Sequence, residues 1–319
     1  MNLHKVVQNR YLMKNNINKA LFFIGIAACL LPFVSPAIAL FMGLLLGFTV
    51  SNPFIKQSSK ASKYLLQFAV VGLGFGMNLF ESLKSGKEGM LFTVVSVIGV
   101  LALGYWLGRR MIIDSKTTYL ISSGTAICGG SAIAAVAPIL NASPNQMSMS
   151  LGTIFILNAI ALFIFPPIGH LLELTQEQFG LWAAIAIHDT SSVVGAGAAY
   201  GDKALEVATM VKLTRALWII PLSIATTFFF KQKDAKVKIP WFILFFILAM
   251  VFNTIFNLPD KLTSFTVMLS KKGMTITLFL IGSGLSLKVL KSVGMRPLVL
   301  GVTLWVFIGI ISLIAILLI

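Results

Sequence analysis

The sequence predicts an all-α, polytopic membrane protein with about 11 transmembrane helices, inverted repeats and discontinuous helices. Of its 319 residues, 57% are hydrophobic and only 11% are charged, whereas a water-soluble domain carries about 25% charged residues. Long charge-free runs separate the charged residues, and a spanning helix needs about 20 mostly apolar residues. Small polar residues interrupt two of these runs, as in the broken helices of transporters. This composition excludes a soluble protein.

The spans follow from the charge-free runs, divided where prolines or polar turns interrupt them. Pro32 and Pro36 separate two short helices at the amino end, because proline ends helices. The polar turn from Asn141 to Asn145 divides a run that is too long for one span. The predicted spans cover about residues 20 to 33, 36 to 51, 62 to 80, 88 to 108, 117 to 140, 146 to 170, 178 to 200, 205 to 230, 239 to 257, 264 to 287 and 297 to 319. We therefore expect one transmembrane domain, residues 20–319, after a basic cytoplasmic segment, residues 1–19.

The net charge of +15 is explained by the distribution of basic residues among the loops. If the amino terminus is cytoplasmic, most of the 25 basic residues lie in cytoplasmic loops and a minority lie in outer loops. The outer residues would be Lys84, Lys87, Lys203, Lys261, Lys271 and Lys272. This bias follows the positive-inside rule and predicts a carboxyl terminus on the outer side. No nucleic-acid partner is needed to explain the charge.

A short glycine-containing motif occurs twice in the chain. The segment from Gly74 to Leu79 recurs from Gly282 to Leu287, and a further apolar span follows each copy. The copies fall in the third and tenth predicted spans, so they run in opposite directions and predict an inverted repeat. Glycine pairs at this spacing are also common on packed helix surfaces in membranes, and this alternative stays open.

The fifth predicted span contains a polar stretch from Ser122 to Ile133. Gly129 and Gly130 have low helix propensity and Ser131 is a good N-cap, so we expect a broken helix whose second half starts near Ser131. The free amides and positive dipole end of that half-helix would suit an anion. The alternative is a packing face of small residues. The candidate substrate-binding residues here are Ser123, Gly124, Thr125, Gly129, Gly130 and Ser131.

The seventh predicted span contains a second polar stretch, in which Asp189 precedes three hydroxyl residues. This pattern indicates an N-cap that opens another half-helix. A carboxylate in a membrane needs a cation or a proton, and Lys212 and Arg215 share one face of the eighth span. Asp189 either forms a fixed charge pair with them or titrates during transport together with His188. The ion-coupling candidates are therefore His188 and Asp189, and the further substrate-binding candidates are Thr190, Ser191, Ser192, Lys212 and Arg215.

The two polar stretches do not fit a simple inverted repeat. Spans five and seven run in the same direction, so they cannot be inverted mates of each other. One of them is re-entrant, or the span count is wrong by one, or the mate of span five is the region from Gly282 to Gly284. Four other polar residues within spans are weaker site candidates, as each also fits a helix–helix hydrogen bond. They are Asn78, Asn158, Ser283 and Ser286.

The motifs closely resemble those of the YeiH family of bacterial inner-membrane proteins, which are described as sulfate exporters. The matching segments are Ser123 to Ile133, Ile187 to Gly197, Lys212 to Arg215, Ile239 to Phe242 and Gly284 to Lys288, in the same order. The resemblance implies relatives among cation/proton antiporters and bile-acid symporters, with inverted repeats, broken helices and a core domain that moves against a scaffold. Where family members often carry His-Glu, this chain has His188-Asp189, so ion selectivity is expected to differ.

These observations predict a secondary active transporter of a small anion, coupled to a proton or a sodium ion. Sulfate is favoured by the resemblance, while bicarbonate, sulfonates and carboxylates satisfy the same chemistry. The anion, the direction of transport and a homodimeric state are left open. We expect no cofactor, no metal and no enzymatic activity, and no nucleotide-binding loop occurs. The alternatives are an anion channel and, more remotely, an intramembrane hydrolase that uses Cys128, His188 and Asp189.

Overall fold

The computed structural model describes residues 3–50, 52–230, 241–256, 258–284 and 293–318, with side chains for these residues except 3–15 and 81–92. The described residues form helices and contain no strand. The helices are α1 (Leu3–Ala28), α2 (Pro36–Thr49), α3 (Ile55–Gly74), α4 (Leu79–Arg110), α5 (Ser115–Ala126), α6 (Gly130–Val136), α7 (Pro144–Leu171), α8 (Gln176–Ala186), α9 (Thr190–Tyr200), α10 (Asp202–Ala216), α11 (Ile219–Phe229), α12 (Trp241–Phe256), α13 (Asp260–Gly284) and α14 (Met295–Leu317).

Four helical stretches in the described residues are long and apolar enough to cross a membrane. They are Pro144–Leu171, Asp202–Phe229, Asp260–Gly284 and Met295–Leu317. Three shorter apolar helices accompany them: Asn16–Ala28, Pro36–Thr49 and Trp241–Phe256. The predicted all-helical class with several apolar helices is therefore confirmed, whereas the number of helices that cross the membrane stays a prediction.

Several helices begin where the sequence signals predict. Ser35 caps α2 ahead of Pro36, with its side chain accepting a hydrogen bond from the Ile38 amide. The long helix α7 begins at a capping box in which Ser143 and Gln146 satisfy each other's backbone amides. These caps confirm the two turns at which the sequence was divided, after Pro32 and at Asn141 to Asn145.

The helices form two groups that contact each other along a narrow boundary. One group, called here the α13 group, contains α1, α2, α3, α12 and α13. The other, the α10 group, contains α4 to α11 and α14. The main contacts between them join α9 to α13 and α2, with smaller contacts of α2 with α7 and of α4 with α12. Helix α9 is thus the principal element of the boundary.

Glycines allow the closest packing inside the α13 group. A Cβ on Gly43 would lie 2.3 Å from the backbone oxygen of Phe279, and a Cβ on Gly282 would lie 2.5 Å from that of Leu40. The backbones of α2 and α13 therefore touch where they cross. Gly282 of the repeated motif thus serves in packing, which is the alternative that the sequence left open.

Helices α3 and α13, whose last residues begin the two copies of the motif, run antiparallel. Gly72 faces Ser270, and Gly76 just after α3 faces Val267. The copies thus run in opposite directions, as an inverted repeat requires. The repeat itself stays a prediction, and residues 285–287 of the second copy lie outside the described residues.

Candidate functional site

The first polar stretch forms a helical hairpin, α5 to Leu140, rather than one span. Near its two ends, the Lys116 Nζ donates to the Asn141 backbone oxygen at 3.0 Å. The Gln146 Nε2 at the start of α7 donates to Asp114 Oδ2, before α5, at 2.7 Å. The chain therefore enters along α5, turns at residues 127–129 and returns along α6 to the same end of the molecule.

Gly129 makes this turn. Its φ of +64° lies in the left-handed region, which glycine adopts without the steric cost of a Cβ. Gly129 occupies the N-cap position of α6, and no side chain caps that helix. The break falls at the predicted glycine pair, but α6 begins at Gly130. Ser131 is therefore not the N-cap that the sequence predicted, and it lies exposed in the first turn of α6.

The second polar stretch, α8 and α9, also forms a hairpin. At its open end, the Tyr200 hydroxyl donates to the backbone oxygen of Leu174 at 2.5 Å. The Lys203 amide donates to Gln176 Oε1 at 3.0 Å, so the beginning of α8 and the end of α9 lie together. The Tyr200 ring also stacks on His170 near the end of α7, with 4.3 Å between ring centroids.

Asp189 forms the tip of the second hairpin and caps α9, as predicted. Its carboxylate accepts hydrogen bonds from the Ser191 amide at 3.0 Å and from the Ser191 hydroxyl. Its own amide donates to Asn158 Oδ1 on α7 at 3.1 Å. Asn158, a weaker candidate from the sequence, thus fixes this tip against the middle of α7.

The two hairpins approach from opposite ends of α7, and their tips meet. The first hairpin leads into the beginning of α7, and the second follows its end; α7 has 28 residues, a length of about 42 Å. A Cβ on Gly129 would lie 3.5 Å from both Asp189 Cα and Cβ. This arrangement corrects the prediction that residues 117–140 and 178–200 are single spans. It also accounts for the problem of their direction, since both stretches, rather than one, turn back as hairpins.

Lys212 and Arg215 on α10 each bind the carboxyl-terminal end of one hairpin arm. The Lys212 Nζ donates to the backbone oxygens of Ile187 at 2.7 Å and Ala184 at 3.2 Å, at the end of α8. The Arg215 Nη2 donates to the Ala126 oxygen at 2.5 Å, at the end of α5. Cations are stabilised at the carboxyl ends of helices, where free carbonyl groups carry a partial negative charge.

The expected charge pair with Asp189 is not what these cations form. In the part of the chain that the structure describes, neither Lys212 nor Arg215 forms an ion pair with that carboxylate. The i, i+3 spacing predicted that both side chains lie on one face of α10. On this face, Lys212 binds the second hairpin and Arg215 binds the first. The sequence shows the spacing but cannot show that backbone carbonyls, rather than a carboxylate, are the partners.

The hairpin tips carry an excess of positive charge. Lys212 and Arg215 are both 0% exposed, and Asp189 at the tip of the second hairpin is half-buried. The two helix carboxyl ends and the two helix amino ends at the tips carry roughly −0.5 and +0.5 charge each, so they offset one another. Two cations and one carboxylate then leave about one positive charge, which favours an anion.

Several buried polar atoms near the tips lack a hydrogen-bond partner among the described residues. They include both ring nitrogens of His188, the Nδ2 atom of Asn158 and the Nε atom of Arg215. The hydroxyls of Ser123 and Thr125 on α5 share this property. Buried polar groups are almost always hydrogen-bonded in native proteins. These atoms are therefore groups that a polar ligand could satisfy.

The remaining candidate residues lie on the hairpins, away from them, or outside the described residues. Gly124, Gly130, Thr190 and Ser192 lie on the hairpin arms close to the tips. Asn78 lies at the α3–α4 connection, where its Oδ1 accepts from the Phe80 amide. Ser283 lies in the last turn of α13 and accepts from Asn52, so neither belongs to the hairpins. Ser286 lies outside the described residues.

Sequence reasoning missed Ser96. Its hydroxyl accepts a hydrogen bond from Arg215 Nη1 at 2.9 Å, and it lies on α4. A lone serine in an apolar helix usually bonds its own backbone, so no sequence signal distinguishes this one. Among the described residues, no group of three or more His, Cys, Asp or Glu side chains could hold a metal ion.

Fold and site together define a class: a helical membrane protein in which the tips of two opposed helical hairpins meet beside the middle of α7. Comparison with known proteins identifies the family within this class. A family model described as "Conserved hypothetical protein 698" matches residues 20–301. The chain belongs to the UPF0324 membrane protein family.

Two relatives show the extent of the similarity. The UPF0324 membrane protein of Bacteroides thetaiotaomicron is 62% identical over 278 residues, which cover 86% of this chain and 84% of the relative. That of Porphyromonas gingivalis is 55% identical over 296 residues, 90% of this chain and 89% of the relative. These names specify a membrane protein and no substrate. No solved structure matches the chain.

Proposed function

We propose that this protein is a secondary active transporter of a small anion, which binds between the tips of the two hairpins. One observation carries the proposal: two fully buried cations, Lys212 and Arg215, are fixed at the hairpin ends, and the nearby carboxylate of Asp189 balances only one of them. Charged groups inside a membrane are expensive and mark transport pathways.

The anion would bind the first turn of α9 and the start of α6. The exposed hydroxyl of Ser131 and the half-buried Asp189 leave this region open to a ligand. Thr190, Ser191 and Ser192 form the first turn of α9, whose amino end favours an anion. The amide and hydroxyl of Ser191 already bind Asp189, so Thr190 and Ser192 are the residues of this turn that would bind the anion. Lys212 and Arg215 contribute their field through the hairpin ends rather than by direct contact, because backbone carbonyls already bind them.

Asp189 is the proposed coupling group, with His188 beside it. A carboxylate next to the anion site repels the anion when ionised, and a bound proton or sodium ion removes that repulsion. The anion and the coupling ion therefore favour each other's binding, which is the requirement for coupled transport. His188 is completely buried and is a second group that can exchange a proton.

The fold supports alternating access. Because the hairpins enter from opposite ends, a site between their tips would lie near the middle of α7, and each hairpin would separate it from one side. Movement of the α10 group against the α13 group along α9 would open the site to one side at a time. The proposed location is the bacterial inner membrane, with a cytoplasmic amino terminus and a periplasmic carboxyl terminus.

The substrate is proposed as a class. The YeiH resemblance favours sulfate, and bicarbonate, sulfonates and small carboxylates are also anions that would suit the same site. A thermal-shift screen of the purified protein against these anions, with and without sodium, tests the class, because a ligand that binds the native state raises its stability. If none of these anions raises the unfolding temperature, the proposed anion site is wrong.

Reconstitution into liposomes separates a transporter from the alternatives. A transporter shows saturable counterflow of a labelled anion, whereas a channel passes current without exchange. A hydrolase built on Cys128 would consume its substrate without a gradient; Cys128 is only 1% exposed, at the turn of the first hairpin. Counterflow that neither saturates nor depends on internal anion would contradict the proposal.

A further inference from the structure

A cavity of about 510 Å³ lies between the two helix groups, next to the open end of the second hairpin. Its walls come from the α1–α2 connection, from α9 and from α13, including Pro36, Ala198 and Met274. Ligand sites in proteins typically measure about 300 to 1,000 Å³. The cavity is therefore large enough for a small organic molecule and lies outside the hairpin-tip site.

Among the described residues, Lys271 and Lys272 on α13 are the charged ones that line this cavity. The Lys271 Nζ lies 2.5 Å from Asp202 Oδ1, and the Lys272 Nζ donates to the backbone oxygen of Leu31 at 2.5 Å. A lysine ammonium has three donors, so each can also bind a ligand. The Asp202 side chain is 87% exposed, and an exposed ion pair of this kind is weak. The lining therefore favours an anion.

The rest of the lining is mostly apolar, which restricts the kind of anion. Val194 on α9 and Val267, Met268 and Met274 on α13 face the cavity. A strongly hydrated inorganic anion such as sulfate gains nothing from these walls and loses water there. An organic anion can bury its hydrocarbon part against them while its charged end binds the lysines.

The cavity reaches towards the hairpin tips. Val194 follows Thr190 by four residues on α9, a distance of about 6 Å along the helix axis. Thr190 begins the helix that Asp189 caps. A molecule against Val194 is thus about one helical turn from the proposed anion site.

We propose that this cavity is an entry site for a small organic anion, a carboxylate or sulfonate with a short alkyl chain. Its charged end binds Lys271 and Lys272, and its alkyl chain lies against α9. The inference rests on the proposed function, since the cavity would supply the hairpin-tip site. It also narrows the substrate class from anions in general to organic anions.

The test compares the half-saturation concentration for 1-propanesulfonate exchange in proteoliposomes. In Lys271→Gln/Lys272→Gln we expect it to rise about ten-fold, because charge-assisted hydrogen bonds to the sulfonate are lost, with a maximal rate close to that of the unmodified protein. Lys261→Gln is the matched control, because it removes a lysine from the same helix outside the cavity. An unchanged value in the double variant, or an equal rise in the control, overturns the proposal.

A second measurement does not depend on transport. Ser264 lines the cavity, and Ser264→Cys places a thiol there for modification by a methanethiosulfonate reagent. We expect 1-propanesulfonate to slow this modification and sulfate to leave it unchanged. Equal rates with and without 1-propanesulfonate overturn the entry site. Protection in a protein that exchanges no anion would instead contradict the proposed function and leave the cavity as a binding site.

Discussion

At the scale of single residues, Asp189 combines a structural and an electrostatic part. Its carboxylate caps α9 through Ser191, and it also offsets part of the positive charge of Lys212 and Arg215 at the tips. These two parts can be separated, because asparagine is as good an N-cap as aspartate but carries no charge. The distinction decides whether Asp189 only shapes the hairpin or also takes part in coupling.

We expect Asp189→Asn to abolish coupled transport while the protein stays folded in the membrane. The amide preserves the cap but cannot bind a proton or a sodium ion in the same way. The measurement is anion uptake driven by a proton or sodium gradient, together with the unfolding temperature. Asp189→Ala serves for comparison and should lose both the coupling and about 1 kcal/mol of stability. Full gradient-driven uptake in the asparagine variant would remove Asp189 from the coupling site.

Ser131 and Ser143 offer a second separation of function from stability. Ser131 is exposed beside the turn of the first hairpin, so Ser131→Ala should weaken anion binding several-fold, by about 1 kcal/mol, with little change in unfolding temperature. Ser143 caps α7 at the far end of that hairpin, so Ser143→Ala should lower stability by about 1 kcal/mol and leave affinity unchanged. Binding assays and thermal unfolding check both variants, and the reverse pattern would place the anion elsewhere.

At the scale of elements, the sequence predicts the breaks but not the reversals. The low helix propensity of Gly129 and the capping pattern at Asp189 identify where α6 and α9 begin to within a residue. An apolar run with a polar break in the middle is the same pattern for a crossing broken helix and for a hairpin. The choice depends on the φ of Gly129 and on contacts between residues about 25 apart, such as Lys116 with Asn141, which periodicity cannot reveal.

The left-handed turn at Gly129 can be tested directly. Gly129→Ala should destabilise the protein by about 1 to 2 kcal/mol, because an L-residue is strained at this φ, and its Cβ would lie 3.1 Å from Ile154 Cγ2. Gly99→Ala is the control, since a Cβ there meets nothing within 4 Å, and alanine favours a helix. Thermal or denaturant unfolding compares the two. Equal stability of both variants would contradict the turn.

At the scale of the whole molecule, the sequence predicts the class of protein and the central position of the polar residues. It does not predict the division into two groups, because the α13 group joins the first three helices to α12 and α13 from much later in the chain. Lys271 and Lys272, expected in an outer loop, lie within α13 instead. An apolar helix of 25 residues tolerates them because Lys271 reaches Asp202 and Lys272 reaches the backbone oxygen of Leu31 in the α1–α2 connection.

The sidedness of the hairpins is a prediction for the intact protein. Single cysteines at Lys116 and Asn141 should react with an impermeant maleimide from one side of the membrane. Cysteines at Glu177 and Lys203 should react from the other side, because the second hairpin enters from the opposite end. The native Cys29 and Cys128 are buried, and the unmodified protein gives the background. Labelling of Lys116→Cys and Asn141→Cys from opposite sides would contradict the first hairpin and show that residues 117–140 form a single span.

Lys212 and Arg215 have a mechanical consequence for the molecule. They are three residues apart on one helix, a rise of about 4.5 Å, and each holds a different hairpin by its turn. The spacing between the two tips is therefore set by a single turn of α10. Any displacement of α10 therefore moves both hairpin tips together, and the distance between the two tips stays constant during the movement.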